Sequence, residues 1–134
     1  MLILHTSDWH LGRAFKKVPL LDAQKGFVDE LIQVIKDRQV DLVVVAGDIF
    51  DRGLPPVEAV IVWNDALERI TQAGAQVVAI SGNHDQGERI EKKPSLTKTG
   101  IVVRGTREAS LATLEFDDGP LTVVTVPFLD PFMA

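Results

Sequence analysis

The strongest indication of the fold is a set of three short apolar runs, each of which leads into a polar stretch within a few residues. The runs are Leu2–Leu4, Leu42–Ala46 and Val77–Ile80. Continuous apolar runs of this length, rich in β-branched residues, are typical of strands that are buried on both faces of a parallel sheet. We therefore predict three buried strands in one parallel sheet.

Two helical patterns separate these strands. The first covers Leu21–Gln39, where apolar residues recur on one predicted face, namely Phe27, Leu31, Val34 and Ile35. The second covers Val57–Ala73, with Pro55-Pro56 before its start and Gly74 at the position of a C-terminal cap. The resulting β-α-β-α-β order predicts parallel strands that are joined by helical crossovers.

The last third of the chain shows a different pattern. Strands are predicted at Ile101–Arg104, Leu111–Phe116 and Leu121–Val126. Asp117-Asp118-Gly119 separates the last two, and Asp-Gly between β-rich runs is a hairpin signal. Residues 86–99 are charged and predict a loop with a short helical piece. We therefore expect a hairpin to follow the parallel sheet.

The composition narrows the possible functions. The chain has 134 residues, which suits one domain, and a formal net charge of -5. Domains that bind nucleic acid through side-chain charge alone are usually basic, so a contact with phosphate would need positive charge from a bound metal ion. The absence of cysteine excludes disulfides, thiolate nucleophiles and Cys-ligated zinc, and it fits a reducing cytoplasm. No apolar run approaches the roughly 20 residues of a membrane span, so we expect no membrane role.

Polar side chains follow each of the three predicted strands. In open α/β sheets, ligands bind beyond the carboxyl ends of the strands, so these side chains should meet at one edge. They comprise Asp8, His10, Asp48, Asp51, Asn83, His84 and Asp85. Carboxylate, imidazole and amide oxygen together suit Mn²⁺, Fe²⁺ or Zn²⁺. The sequence therefore predicts a metal site, in which a carboxylate after the middle strand could bridge two ions about 3.5–4 Å apart.

Each motif also has a purely structural interpretation. Asp8 could cap a turn, and His10 could be a solvated loop residue. Asp51 and Arg52 could be surface charges in an ordinary turn, and the Gly-Asn-His-Asp block could be a turn as well. Because the three motifs occur in order, each at the end of a predicted strand, the joint pattern favours the metal site.

The blocks Asp8–His10, Gly47–Asp51 and Gly82–Asp85 read Asp-x-His, Gly-Asp-x-x-Asp and Gly-Asn-His-Asp. They resemble the signature of the calcineurin-like metallophosphoesterases. The segment Leu4–Arg13 is similar to the opening of a nuclease branch of that family, which acts in bacterial double-strand-break repair. The resemblance implies an α/β fold, the metallophosphoesterase-type αββα sandwich, here mainly its N-terminal β-α-β-α-β half plus a β-hairpin. Residues 1–134 would then form the N-terminal part of a nuclease domain.

The resemblance also implies the ligands of a two-metal centre. Asp8 and His10 would bind the first Mn²⁺ ion, and Asn83 would bind the second. Asp48 would bridge both ions. The implied reaction is metal-dependent hydrolysis of a phosphodiester, with DNA as the substrate.

Three further residues receive roles from the same resemblance. His84 would act as the general acid on the leaving-group oxygen, or as a hydrogen-bond donor to it in the transition state. Asp51 would orient His84, as carboxylates commonly orient catalytic imidazoles. Arg52 would contact phosphate.

Family members supply further metal ligands from later Gly-His blocks, whereas the histidines of this sequence are His5, His10 and His84. The chain would therefore carry about half of the metal site. The sequence leaves open whether the chain is an N-terminal fragment of a longer nuclease or a short form in its own right. Half of a sandwich would expose a sheet edge and an apolar face, so we expect a homodimer.

The family resemblance further implies an ATPase partner subunit in the full-length nuclease. Two alternatives remain open at this point. One is a small-substrate phosphodiesterase or a phosphatase of the same family. The other is a non-catalytic module that serves dimerisation or partner binding.

Overall fold

The computed structural model describes residues 1–87, 90, 100–105 and 108–132. In chain order, the elements are β1 (Ile3–Thr6), β2 (Ala14–Phe15), β3 (Val18–Pro19), α1 (Leu21–Arg38), β4 (Leu42–Ala46), α2 (Val57–Gln72), β5 (Gln76–Ile80), β6 (Ile101–Arg104), β7 (Ser110–Phe116) and β8 (Gly119–Thr125). The predicted alternation of strands and helices is confirmed, and β4 and β6 have the predicted bounds. Most of the predicted loop at residues 86–99 lies outside the described residues.

Four strands form one parallel sheet in the order β1-β4-β5-β6. Strand β4 pairs with β1 through Val43 opposite Leu4, and with β5 through Val44 opposite Val78. Because all four strands run in the same direction, their carboxyl ends lie along one edge of the sheet. The loops that follow β1, β4 and β5 therefore leave the sheet at that edge.

Two hydrophobic cores cover opposite faces of the sheet. Helices α1 and α2 pack on one face, in a core that includes Val43 of β4 and the fully buried Trp63 of α2. The β7–β8 hairpin covers the other face, where Leu114 clusters with Leu42 and Val78. The result is a helix layer, a parallel sheet and a hairpin layer, which corresponds to part of the predicted sandwich.

The local turn signals are confirmed. Strands β7 and β8 pair in antiparallel fashion around the predicted turn, with Phe116 opposite Gly119. Helix α2 begins directly after Pro56, and Gly74 lies just beyond its end with a φ of +101°. That left-handed conformation is the one that favours glycine after a helix.

The prediction that the first strand is buried on both faces is wrong. Strand β1 lies at the edge of the sheet, and the side chains of Leu2 and Ile3 are 46% and 47% exposed. The reason is the position of the hairpin, whose partners across the sheet come from β4, β5 and β6. Of the three strands predicted to be buried, β4 and β5 have the expected cover on both faces and β1 does not.

The predicted buried face of α1 is also partly wrong. The buried residues are Val28, Leu31, Ile32 and Ile35, whereas Phe27 and Val34 are 43% and 45% exposed. Both sets recur at helical spacing, so the packing against the sheet and α2 decides between them. The solvated face of α1 carries charged residues.

Neither helix in the described ranges is long and apolar enough to span a bilayer.

Candidate metal centre

The loop after β1 lies against the loop after β4. The main-chain nitrogen of Asp8 donates to the carbonyl of Gly47 at 3.1 Å, and that of His10 donates to the carbonyl of Asp48 at 3.0 Å. These hydrogen bonds extend the β1–β4 pairing beyond the ends of both strands. The Asp-x-His block is thereby placed beside Asp48, as the sequence predicted from strand order.

Several residues of these loops adopt left-handed backbone conformations. The φ angles are +58° at Asp8, +44° at His10 and +51° at Asp48, and Gly47 has a φ of +86°. This conformation costs about 1 kcal/mol for a residue other than glycine, and such strain concentrates at functional sites. The turns bring the side chains of Asp8, His10 and Asp48 to one place at the sheet edge.

The side chains of His10, Asp48 and His84 form the centre of the cluster. One ligand atom from each lies within 4.8 Å of the others. The Nε2 atom of His10 is 3.8 Å from Asp48 Oδ2 and 3.7 Å from Asp8 Oδ1. These distances are too long for hydrogen bonds but suit two ligands of one ion, because metal–nitrogen and metal–oxygen bonds are about 2 Å long. The donors of Asp8, His10 and Asp48 therefore fit a divalent cation.

Asn83 approaches the same carboxylate from the loop after β5. With its amide nitrogen turned toward Asp48, the side chain donates to both carboxylate oxygens at 3.2 and 3.3 Å. With the amide oxygen turned inward instead, Asn83 would add a ligand beside Asp48. The main-chain nitrogen of His84 also donates to Asp48 Oδ1, at 3.1 Å. Asp48 thus lies between the two halves of the cluster, where a bridging ligand would have to be.

His84 contacts Asp51, although not in the way the resemblance implies. The Nδ1 atom of His84 is 2.9 Å from the main-chain carbonyl of Asp51, and a carbonyl can only accept, so Nδ1 carries the hydrogen. The carboxylate of Asp51 lies instead 3.5 Å from Nδ1 of His10. Asp51 therefore touches both imidazoles, one through its main chain and the other through its side chain.

The hydrogen bond to the Asp51 carbonyl raises the pKa of His84 above its usual value. The small loss of hydration at the site acts in the opposite direction and lowers the pKa. Negative charge on Asp48, Asp51 and Asp85 raises the pKa further. The site therefore favours a protonated imidazole at this position.

The basic residues near the site are Arg52 and Arg13. Arg52 is exposed on the loop after β4, and within the described ranges it makes no hydrogen bond or ion pair with the cluster. None of the three signature blocks contains Arg13, yet its Nε atom lies 3.9 Å from the Asp51 carboxylate. Its side chain is 56% exposed, so its charge is open to a ligand at the mouth of the site.

A comparison with known proteins identifies the family. Residues 1–127 match the profile of the calcineurin-like phosphoesterases. The chain belongs to this family. In a calcineurin-like phosphoesterase, a divalent metal centre is the expected use of the cluster that surrounds Asp48.

Two similar proteins are bacterial nuclease subunits. The chain is 40% identical over 107 residues to SbcD, a subunit of the nuclease SbcCD, from Bacillus subtilis, a match that covers 78% of this chain and 27% of that protein. It is 34% identical over 134 residues to the protein of the same name from Escherichia coli K12, covering 98% of this chain and 34% of the relative. The chain therefore spans about a third of the length of the curated relatives it matches.

Asp85 has a specific role in this site that its motif does not reveal. Its carboxylate accepts hydrogen bonds from the main-chain nitrogens of Ile49 at 3.0 Å, Phe50 at 2.8 Å and Gly82 at 2.9 Å. These bonds join the loop after β5 to the loop after β4. The only signal in the sequence was the position of Asp85 at the end of the Gly-Asn-His-Asp block.

Proposed function

We propose that this chain is the N-terminal part, residues 1–134, of an SbcD-type nuclease that hydrolyses phosphodiester bonds in DNA with two divalent cations, expected to be Mn²⁺. The observation that carries the proposal is the convergence of His10, Asp48 and His84 within 4.8 Å at the carboxyl edge of the sheet. The match of residues 1–127 to the calcineurin-like phosphoesterases supports metal-dependent hydrolysis. The sequence identity to the SbcD subunits of two bacterial SbcCD nucleases supports DNA as the substrate.

In this proposal, the ligands divide between two cations. Asp8 and His10 would hold one, Asn83 would hold the other, and Asp48 would be shared between them. When bound, the cations would supply an activated water and would stabilise the negative charge that develops on the phosphoryl group. The left-handed backbone at Asp8 and His10 contributes by presenting both side chains to the same side as Asp48.

His84 is the proposed general acid. Because its Nδ1 hydrogen is held by the Asp51 carbonyl, Nε2 is the atom that can meet the substrate. In the metal-free protein the raised pKa of His84 favours the protonated imidazole, and Nε2 is the atom that would give a proton to the leaving-group oxygen. Asp51 is proposed to orient His84 through its carbonyl and His10 through its carboxylate. Arg52 is the proposed phosphate contact.

The wider role follows from the same relatives. We propose a cytoplasmic function in DNA double-strand-break repair, with an SbcC-type ATPase subunit as the partner of the full-length protein. A homodimer is also proposed, because the edge strand β1 and apolar side chains such as Leu111 and Val124 are exposed. Light scattering coupled to size exclusion tests the dimer, and a monomer at micromolar concentration would contradict it.

The central test is Mn²⁺ binding followed by hydrolysis in the purified chain. We expect Asp48→Asn to abolish Mn²⁺ binding in a calorimeter. We expect His84→Ala to keep Mn²⁺ binding but to lose about 10²–10⁴-fold in cleavage of a labelled DNA duplex, the usual contribution of a general acid. His5→Ala, which removes an exposed imidazole on β1, is the matched control and should leave both properties unchanged.

The outcomes separate the alternatives. Hydrolysis of bis(p-nitrophenyl) phosphate without cleavage of DNA would favour a small-substrate phosphodiesterase. Mn²⁺ binding without any hydrolysis would favour a non-catalytic module. An absence of Mn²⁺ binding by the wild-type chain would contradict a metal centre built from these residues alone.

A further inference from the structure

Gln24, on the first turn of α1, reaches into the loop that carries Asp8 and His10. Its amide nitrogen donates to the carbonyl of Trp9 at 3.0 Å and to the carbonyl of His10 at 2.8 Å. Its amide oxygen accepts from the main-chain nitrogen of Gly12 at 3.1 Å. Both donor hydrogens and the acceptor oxygen of one side chain are thus used on a single short loop.

This loop has an unusual backbone conformation. The φ angles at Asp8, His10 and Gly12 are +58°, +44° and +88°, so every second residue of the loop is left-handed. The main chain of the loop also makes hydrogen bonds of its own, because the nitrogens of Asp8, His10 and Leu11 donate to carbonyls of the loop after β4 and the nitrogen of Arg13 donates to the His10 carbonyl at 3.0 Å. The Gln24 amide adds hydrogen bonds from α1 to two carbonyls and one amide nitrogen of the loop.

Gln24 donates to the main-chain carbonyl of His10, a proposed ligand, and to that of its neighbour Trp9. The imidazole of His10 lies in the metal cluster, near Asp48. The Nε2 atom of His10 is 3.8 Å from Asp48 Oδ2, and the His10 carbonyl is bonded to Gln24. A shift of this carbonyl would move the imidazole with it. The geometry therefore couples a helix side chain to the position of the imidazole through the main chain of His10.

We propose that Gln24 is a positioning residue that holds the Asp8–Gly12 loop in its left-handed path, so that Asp8 and His10 face Asp48 before a cation binds. This inference rests on the proposed metal site for its consequence, although the loop contacts stand independently of it. No motif in the sequence contains Gln24. Glutamate has the same shape but would set a carboxylate oxygen against the Trp9 and His10 carbonyls.

The test compares Gln24→Met with Gln33→Met. Gln33 lies on the same helix, is exposed, and donates its side-chain amide to Asp37 at 2.7 Å. In the metal-free protein, amide hydrogen exchange of His10, Leu11 and Gly12 should accelerate at least tenfold in Gln24→Met. The amides of β5 should keep their rates, and Gln33→Met should change neither set.

The second measurement is calorimetric titration with Mn²⁺ at a temperature where each variant is folded. Gln24→Met should bind Mn²⁺ at least tenfold more weakly than the wild type, with Gln33→Met unchanged. A residue that only anchored the helix would lower the midpoint of thermal unfolding and leave the Mn²⁺ affinity of the folded protein intact. Gln24→Glu should show the same faster hydrogen exchange in the loop. It replaces Gln24→Met in both measurements if Gln24→Met does not fold.

Unchanged loop exchange in Gln24→Met and Gln24→Glu would overturn the proposal, as would equal effects of Gln24→Met and Gln33→Met. Faster loop exchange with unaltered Mn²⁺ affinity would also overturn it, because the loop would then be held without consequence for the ligands. If the wild-type chain binds no Mn²⁺, the proposed metal site fails by itself. Hydrogen exchange then still decides whether Gln24 holds the loop.

Discussion

The carboxylate of Asp48 occupies the space that a side chain at position 82 would fill. A Cβ built on Gly82 would lie 2.8 Å from Cγ of Asp48, and closer still to Oδ1 and to the main-chain nitrogen of that residue. Real Cβ atoms do not approach other heavy atoms to this extent. The glycine after β5 therefore creates the room in which the central ligand of the cluster lies.

We expect Gly82→Ala to displace Asp48, because the added methyl group meets main-chain atoms that cannot move aside freely. The Mn²⁺ affinity should fall at least about tenfold, and the overpacking should lower the free energy of unfolding by about 1–3 kcal/mol. Calorimetry and urea unfolding measure the two effects. Gly26→Ala is the control, since a Cβ at that position on α1 meets nothing within 4 Å and should stabilise the helix by about 0.5–1 kcal/mol.

Replacement of Asp85 by asparagine should separate the loops after β4 and β5. An amide has one acceptor oxygen, so at least one of the main-chain N–H groups of Ile49, Phe50 and Gly82 would face an NH₂ group instead. We expect the free energy of unfolding in urea to fall by about 2 kcal/mol or more. Asp117→Asn makes the same chemical change in the exposed hairpin turn and should be neutral. Equal stabilities of the two variants would contradict the role of Asp85.

Two leucines of β7 test how the hairpin is docked on the sheet. Leu114 is 6% exposed and lies in the core beneath the hairpin, whereas Leu111 is 68% exposed on the outer face of the same strand. Leu114→Ala should cost about 2–4 kcal/mol of unfolding free energy, the range for a buried leucine. Leu111→Ala should cost under about 0.5 kcal/mol. A similar small loss at both positions would mean that the hairpin does not pack on the sheet.

His84 contributes to the stability of the fold in a way that depends on pH, and its raised pKa fixes the direction of that dependence. Its pKa is raised above 6.5 in the folded, metal-free protein, first by the hydrogen bond to the Asp51 carbonyl. The corresponding stabilisation is fully present below the pKa of the unfolded chain and is lost as the pH rises through the higher pKa of the folded state. Titration of the imidazole signals by NMR should give a value above 6.5, and saturating Mg²⁺ should lower it by charge repulsion. A value at or below 6.5 in the metal-free protein would contradict this geometry.

Much of the architecture follows from local features of the sequence. The bounds of β4 and β6 could be predicted because short apolar runs with polar residues at both ends are typical of buried strands. The hairpin at Asp117-Asp118-Gly119 and the end of α2 at Gly74 were predicted because glycine accepts the backbone angles that both turns require. The convergence of the Asp- and His-containing blocks followed from strand direction alone.

Other features depend on which elements meet across long distances in the chain. The edge position of β1 and the exposure of Phe27 on α1 result from where the hairpin and α2 pack, and no local pattern contains that information. The contact of His84 with the carbonyl of Asp51, rather than with its carboxylate, depends on main-chain geometry that residue types do not encode. The same holds for the reach of Gln24 to the loop at His10.

The sequence by itself therefore determined the order of the elements, the parallel sheet and the identity of the residues at its carboxyl edge, since each arises from periodicity, turn chemistry or strand direction. Only the tertiary structure decided which atoms of those residues face one another, and which residues without an assigned role, such as Gln24 and Asp85, hold them there. Hydrogen bonds have narrow limits of distance and angle, and those limits are met or missed only once the packed layers have set the separation of the loops.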